Sequence, residues 1–265
     1  MDLSIFDHDS AIKQRYLEIE DRAEAAKEAI ANSGWAPMKF QDMYDISWIY
    51  HENGLEGVVL TYPEIKSAIE KKIVSDVSLL PTYTAIKNQK ICIDMMRARA
   101  QQKRFIITIP FLKELHGLLV NDPDMAGVYR KDIPIHRTYF HEIAQPVNIP
   151  TLLQKALDYL KAKPERDQHP IEFAANVHHR FMRVFPFSQH SGTIGRLCAN
   201  FVLIRAGYMP IIIHSSDRQH YYEALRGQER DFRLFMAEVM ESSLDNAVRF
   251  FTDRSMVANL ARAAR

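Results

Sequence analysis

The residues best able to do chemistry in this chain lie in one short stretch. Ser188, Gln189, His190, Ser191 and Gly192 separate two apolar helical patterns, and Thr193 and Arg196 stand just inside the second. The first backbone N–H groups of a helix have no acceptor within it, so those near Gly192 form an anion cradle. Arg196 adds a guanidinium one turn further in. Gln189, Gly192, Thr193 and Arg196 are therefore the candidate contacts for a phosphate or carboxylate. His190 and Ser191 are the candidate catalytic residues, an imidazole that titrates near neutral pH beside a hydroxyl. Each feature also has a structural reading. Arg196 can tie two helices by a salt bridge, His190 can plug the cradle, and helix N-termini offer free donors whether or not a ligand uses them.

Other candidates are weaker as chemistry. Eleven histidines invite a metal site, yet no pair combines a compact two-ligand spacing with a carboxylate on one helix face, so no metal centre is expected. His178 and His179 fall on a buried helix and read as packing residues, while His136 and His141 read as exposed. Cys92 and Cys198 sit inside helical patterns and read as small core residues, with no disulfide framework.

The elements that position the loop are legible. Pro170 suits a first helical position, and Ile171, Ala174, Ala175, His178, Phe181, Met182 and Phe185 recur at helical spacing. That helix ends at Pro186, and a second over 193–206 is stopped by Gly207. Upstream, the pattern gives a helix over 10–32, a linker over 35–41 and a short helix over 44–51, with turns at Gly54 and Gly57. Thr61 and Glu64 form a capping-box pair for a helix running toward 77. Helices follow over 82–102, 110–119 and 150–162. The proline-containing stretch 122–148, with β-like pieces around Tyr129, Arg130 and Ile133, reads as a hairpin flap. Ser215, Ser216 and Asp217 supply N-caps for the next helix, and a last one covers 231–253.

The chain has 265 residues, 47% hydrophobic and 25% charged, which is ordinary globular composition. Lys and Arg total 34 against 33 for Asp and Glu, so the net charge of +1 offers no global attraction to nucleic acid or to an acidic membrane. The longest apolar runs fall well short of the roughly 20 residues a membrane-spanning helix needs. No basic stretch followed by an apolar core marks a secretory signal, so a cytoplasmic location is expected.

The run His169, Pro170, Ile171, Ala174, Ala175, His178, His179, Phe181, Pro186, Phe187, Gly192, Gly195, Arg196, Leu197, Asn200 and Gly207 resembles the core of Fic (Fido) domains. Ala126 to Arg130 with Ile133 looks like that family's flap strand. Asp217, Arg218 and Tyr221 to Leu225 look like the helix after its active site, and Glu56, Gly57, Leu60, Thr61 and Glu64 like its inhibitory-helix region. The resemblance covers roughly 45–251 and implies an all-α Fic-fold bundle with a small β-hairpin flap. The domain reading is an N-terminal helix and linker over 1–40, a Fic-like helical domain over 41–255 with an inhibitory-helix-like segment near 45–57, and a basic tail over 256–265.

The family signature H-P-F-x-[D/E]-G-N-G-R-x-x-R aligns with Phe185, Pro186, Phe187, Ser188, Gln189, His190, Ser191, Gly192, Thr193, Ile194, Gly195 and Arg196. In the family the leading His is the general base on a target hydroxyl; Phe185 accepts no proton. The acidic position holds Mg²⁺ in relatives, and Gln189 is a poor ligand for a hard cation. Thr193 replaces the first Arg, which holds the phosphate tail. Glu56 fits the inhibitory motif [S/T]-x-x-x-E-[G/N], although Glu52 stands at its Ser/Thr position. With the family's usual partner taken as that first Arg, now Thr193, the regulatory ion pair is not expected to form in the family's way.

Three functions follow. The first is a Fic-like protein with a degenerate loop, unable to perform ordinary Mg-dependent AMP transfer but retaining an anion or nucleotide pocket. The second is a divergent Fic enzyme that transfers a nucleotide or other phosphate-containing group with a relocated base. The third is a His-based metal enzyme on the same scaffold. No cofactor is certain; the resemblance implies a nucleotide such as ATP and argues against Mg²⁺ dependence. It also implies a protein target or partner, a small anionic ligand and a homodimer through helical surfaces, with neither nucleic acid nor membrane as partner.

Overall fold

The structure is a computed structural model that describes residues 3–33, 37–70, 76–134, 141–162 and 168–252. Ten α-helices make up the described chain: α1 Leu3–Asn32, α2 Pro37–Leu55, α3 Tyr62–Ile69, α4 Leu80–Ala100, α5 Ile109–Val120, α6 Ile149–Lys161, α7 Pro170–Val184, α8 Ser191–Arg205, α9 Arg218–Arg226 and α10 Glu229–Thr252. The all-helical expectation holds. Among the described residues no strand forms in 122–148, and 135–140 lie outside them. The backbone at Arg130 instead donates singly to the Pro186 carbonyl at 3.0 Å, and Ala144 donates to the Arg183 carbonyl at 2.8 Å.

The helical hairpin α7–α8 is the centre of the molecule. Every residue of α8 from Ser191 to Leu203 is buried, and α7 buries most of its length. α10 packs across α7, α1 lies along α10, and α4 backs α8. Ion pairs clamp α1 to α10, with Arg15 Nε 2.5 Å from Glu241 and Arg22 Nη1 2.7 Å from Asp245. The capping box at Thr61 forms as its sequence implies, the Glu64 carboxylate accepting the Thr61 N–H at 2.7 Å.

Several boundaries differ from the sequence reading, α1 among them, which begins at Leu3 rather than at 10. α2 begins at Pro37 and continues through Gly54, so the 37–41 part of the expected linker and the Gly54 turn are both helix; 34–36 lie outside the described residues. Gly54 serves close packing here, because a Cβ would stand 2.6 Å from the Ser215 Cβ. Gly57 does make a turn, at φ +85°. α3 stops at Ile69 rather than near 77.

Arg130 fixes the end of α7. Phe185 adopts the left-handed region at φ 45°, where a bulky side chain is strained, and the final carbonyls of the helix lack partners within it. The buried Arg130 guanidinium donates to the carbonyls of Phe185 at 2.7 Å, Val184 at 3.2 Å and Asp132 at 3.0 Å, and also to that of Ala144. The sequence-assigned flap residue is thus a helix C-cap. Under α7, His178 is 1% exposed with Nε2 2.8 Å from the Tyr221 hydroxyl, and burial pushes its pKa down from 6.5 to about 3.

Arg130→Met is expected to destabilise the fold by about 3 kcal/mol in urea unfolding, because it strands several buried carbonyls; Arg130→Lys should recover part of this. The His178 shift fixes a pH dependence. Above its unfolded pKa the imidazole is neutral in both states and contributes no slope. As pH falls below that value the unfolded chain binds a proton that the folded chain refuses, so stability is lost down to the folded pKa. His178 alone should cost about 2 kcal/mol between about pH 7 and about pH 5, and His178→Gln should flatten that slope.

Candidate functional site

The loop 185–190 is closed by its own residues. The Ser191 hydroxyl donates to the Phe187 carbonyl and accepts from the Phe187 N–H, both at 2.8 Å. Ser191 is fully buried, so its hydroxyl is committed to loop closure. Phe187 is also buried and stacks on His116 at 4.1 Å, while His116 Nδ1 accepts the Gly127 N–H at 3.0 Å. Tyr129 leans on Phe187 at 5.8 Å and carries Lys113 over its ring at 4.6 Å. Ile133 is half-buried beside this segment.

Phe185, at the position aligned with the family's base, is 1% exposed and meets the His141 ring edge-on at 6.2 Å. His141, read from sequence as exposed, is buried at 3%, with Nε2 3.0 Å from the Met182 carbonyl. His136 lies outside the described residues. Gln189 is exposed at the tip of the loop. His190 takes the left-handed conformation at φ 58°, which the loop needs before α8 starts and which His tolerates better than most residues. Burial lowers the His190 pKa, opposed by Glu56 and Glu52, so the imidazole stays neutral at neutral pH.

Arg196 is the centre of the site. It is 5% exposed and donates through Nε to both Glu52 oxygens at 3.0 and 2.9 Å. Nη2 bonds Glu52 and reaches Glu56 at 2.7 Å, while Nη1 donates to the Tyr221 hydroxyl at 3.2 Å. Burial disfavours the guanidinium charge, yet Glu52 and then Glu56 overcome this and hold the pKa well above its usual value. Glu52 is itself 6% exposed, so two carboxylates four residues apart, Glu52 in the last turn of α2 and Glu56 just past its end, face one cation. An ion pair of Glu56 forms nonetheless, with Arg196 rather than with a cation at position 193.

The N-terminus of α8 sits under this cluster. A Cβ on Gly192 would stand 2.5 Å from Glu56 Oε1 and 3.0 Å from Arg196 Nη1, so only glycine admits the carboxylate there. Thr193 is 4% exposed, and its hydroxyl has no partner among the described residues. The cavity bordered by Glu52, His178, Arg196 and Asn200 measures about 10 Å³. That is near the minimum for one water.

The structure brings Gly192, Arg196 and Glu56 together, with Thr193 next in the chain and His190 near them, while it leaves Gln189 at the surface and spends the Ser191 hydroxyl, at the first position of α8, on the loop. Sequence reading missed Glu52 and Tyr221 as members of the cluster. The spacing of Glu52 and Glu56, one helical turn apart, was the available signal for the first. Among the described residues no helix is long and apolar enough to cross a membrane, and no three His, Cys, Asp or Glu side chains group as metal ligands.

Comparison with known proteins shows what this chain is similar to. Residues 106–203 match the Fic/DOC family. The chain is 29% identical over 242 residues to the protein adenylyltransferase Fic of Drosophila willistoni, covering 88% of this chain and 48% of that protein. The Drosophila melanogaster protein of the same name is also 29% identical, over 243 residues. The chain thus spans about half the length of the curated relatives it matches. A Fic domain containing signaling protein from Bacteroides thetaiotaomicron superposes with a TM-score of 0.74 at 25% identity, covering 88% of this chain and 97% of that one. Fic-1 from C. elegans shares the fold, with a TM-score of 0.73 at 21% identity over 90% of this chain and 72% of that one. Loop, fold and relatives together mark residues 106–203 as a Fic/DOC region, in a chain similar over most of its length to protein adenylyltransferases.

Proposed function

We propose that this chain is a Fic-family protein that does not perform ordinary Mg-dependent AMP transfer. It keeps an anion site at the start of α8 that its own carboxylates Glu52 and Glu56, at the end of α2 and just after it, hold shut. The observation that carries this reading is the occupation of Arg196 by Glu52 and Glu56, with a buried aromatic ring at Phe185 where the family's base would stand. A guanidinium engaged by two carboxylates offers no free donor pair to a phosphate, and Phe185 has no group to deprotonate a hydroxyl. The curated relatives are named as protein adenylyltransferases, which supports a protein as the partner this chain meets.

A second reading, a divergent enzyme with its base moved to His190, is favoured by one observation. The imidazole is half-buried beside the cluster and kept neutral, the form a general base needs.

Incubation with labelled ATP and Mg²⁺ should give no AMP transfer to the chain itself or to lysate proteins. Transfer that disappears in His190→Ala would replace the first reading by the second, and transfer that survives this substitution would sink both. The carboxylate closure has its own test. Glu56→Gln should leave phosphate binding undetectable by calorimetry, because Glu52 keeps its two-oxygen grip on Arg196. The double variant Glu52→Gln with Glu56→Gln should bind inorganic phosphate and gain about 2.7 kcal/mol of stability at a hundredfold excess over Kd. Equal phosphate binding by the single and double variants would contradict the closure.

A further inference from the structure

A second cavity lies on the other side of α2, between that helix, the 212–214 segment and α10, and it measures about 340 Å³. That volume falls within the range of small-molecule sites, roughly 300 to 1,000 Å³. Phe40, Tyr44, Tyr62 and Phe250 supply aromatic walls. They are held by one another and by neighbouring rings: Phe40 packs on Tyr44 at 5.6 Å and on Phe250 at 6.0 Å, and Tyr62 stacks on Tyr50 at 4.7 Å. The Tyr44 hydroxyl is spent on the Pro210 carbonyl at 2.5 Å, so this residue offers its ring rather than a polar group.

The polar lining is sparse and uncharged. Ser47, His51, His214, Ser243 and Asn246 border the cavity, the Ser243 hydroxyl accepting the Ile212 N–H at 3.5 Å, and among the described residues no Asp, Glu, Lys or Arg does. His51 and His214 lie parallel at 4.2 Å with their planes 3° apart. His51 Nδ1 accepts the Ser215 N–H at 3.2 Å, which assigns the ring proton to Nε2 and makes that nitrogen a donor. Burial, and then the neighbouring His214, push the His51 pKa down to about 4, so the ring is neutral at neutral pH. Aromatic walls reward a flat π-system, an uncharged lining disfavours an ion, and a fixed imidazole donor rewards an acceptor on the ligand's edge.

We infer that this cavity is a binding site for a neutral, planar, bicyclic heteroaromatic molecule whose edge acceptor takes the His51 Nε2–H. The site is separate from Arg196, and the inference stands whether or not the α8 anion site functions.

Purine and indole are matched probes, both uncharged bicycles near neutral pH, of which purine alone carries in-plane acceptors. In ¹H–¹⁵N NMR titrations of the full chain, purine should shift the amides of Ser47, His51 and Asn246. It should bind about tenfold more tightly than indole, the difference of about 1.4 kcal/mol that one hydrogen bond supplies. Ser47→Leu fills the cavity from α2 and should abolish binding of both probes. His51→Phe keeps an aromatic ring but removes the donor, and should lower purine to the level of indole. Absence of purine-induced shifts at these amides, equal affinity for the two probes, or undiminished binding by a folded Ser47→Leu variant would overturn the inference. The wild-type comparison of the two probes decides the question even if His51→Phe folds poorly.

Discussion

A guanidinium that is 5% exposed must be neutralised where it lies, and the arrangement of this molecule follows from how Arg196 achieves it. Glu52 reaches it from α2, Glu56 from the turn after α2, Tyr221 from α9, and the start of α8 passes close beneath. A buried ion cluster is a weak source of net stability because desolvation offsets most of the Coulomb gain. It is a strong source of geometry, since losing either partner leaves an uncompensated charge. Gly192 leaves room for the Glu56 carboxylate, and Gly54 lets α2 settle against Ser215. Backbone approach and ion pairing therefore specify the same placement of α2.

The signature loop separates conformation from chemistry. Its backbone is held by contacts that do not depend on a reactive side chain: the Ser191 hydroxyl joins the two ends of the tight turn, Arg130 gathers the last carbonyls of α7, and Phe187 stacks on His116. Phe185 and His190 both sit in the left-handed region, where bulky residues are uncommon. Such residues persist when their surroundings over-determine the backbone, as the Arg130 and Ser191 contacts do here. A fold can outlast a change in its site for this reason, since positioning and reactivity reside in different groups.

The central hairpin was legible because apolar residues of α7 recur at helical spacing and Pro170 and Gly207 bound the pair. The Thr61 and Glu64 cap was legible because it is a local exchange of hydrogen bonds. What the sequence obscured was tertiary. Gly54 has the composition of a turn, and only the approach of Ser215 makes it helical packing. Glu56 seemed to lack a cation when position 193 was taken as its partner, yet its partner lies one turn further along α8. His141 carries no sequence mark of burial, because the α7 carbonyl that accepts it is 41 positions away in the chain.

α2 carries consequences on two faces. Successive residues on a helix point about 100° apart, so His51 and Glu52 look into different surroundings, one toward the aromatic cavity and the other toward Arg196. The turn between them and Leu55 is braced from the same neighbouring segment. The Ser215 N–H donates to His51 at 3.2 Å, and Arg218 Nε donates to the Leu55 carbonyl at 3.0 Å. Moving α2 far enough to release Arg196 as a rigid helix breaks both braces along with the carboxylate contacts. Rotating Glu52 and Glu56 away on their own side chains leaves the braces intact. The second route costs fewer bonds, so the closure of the anion site is a property of two side chains, one on a fixed helix and one in the turn after it, rather than of a mobile helix.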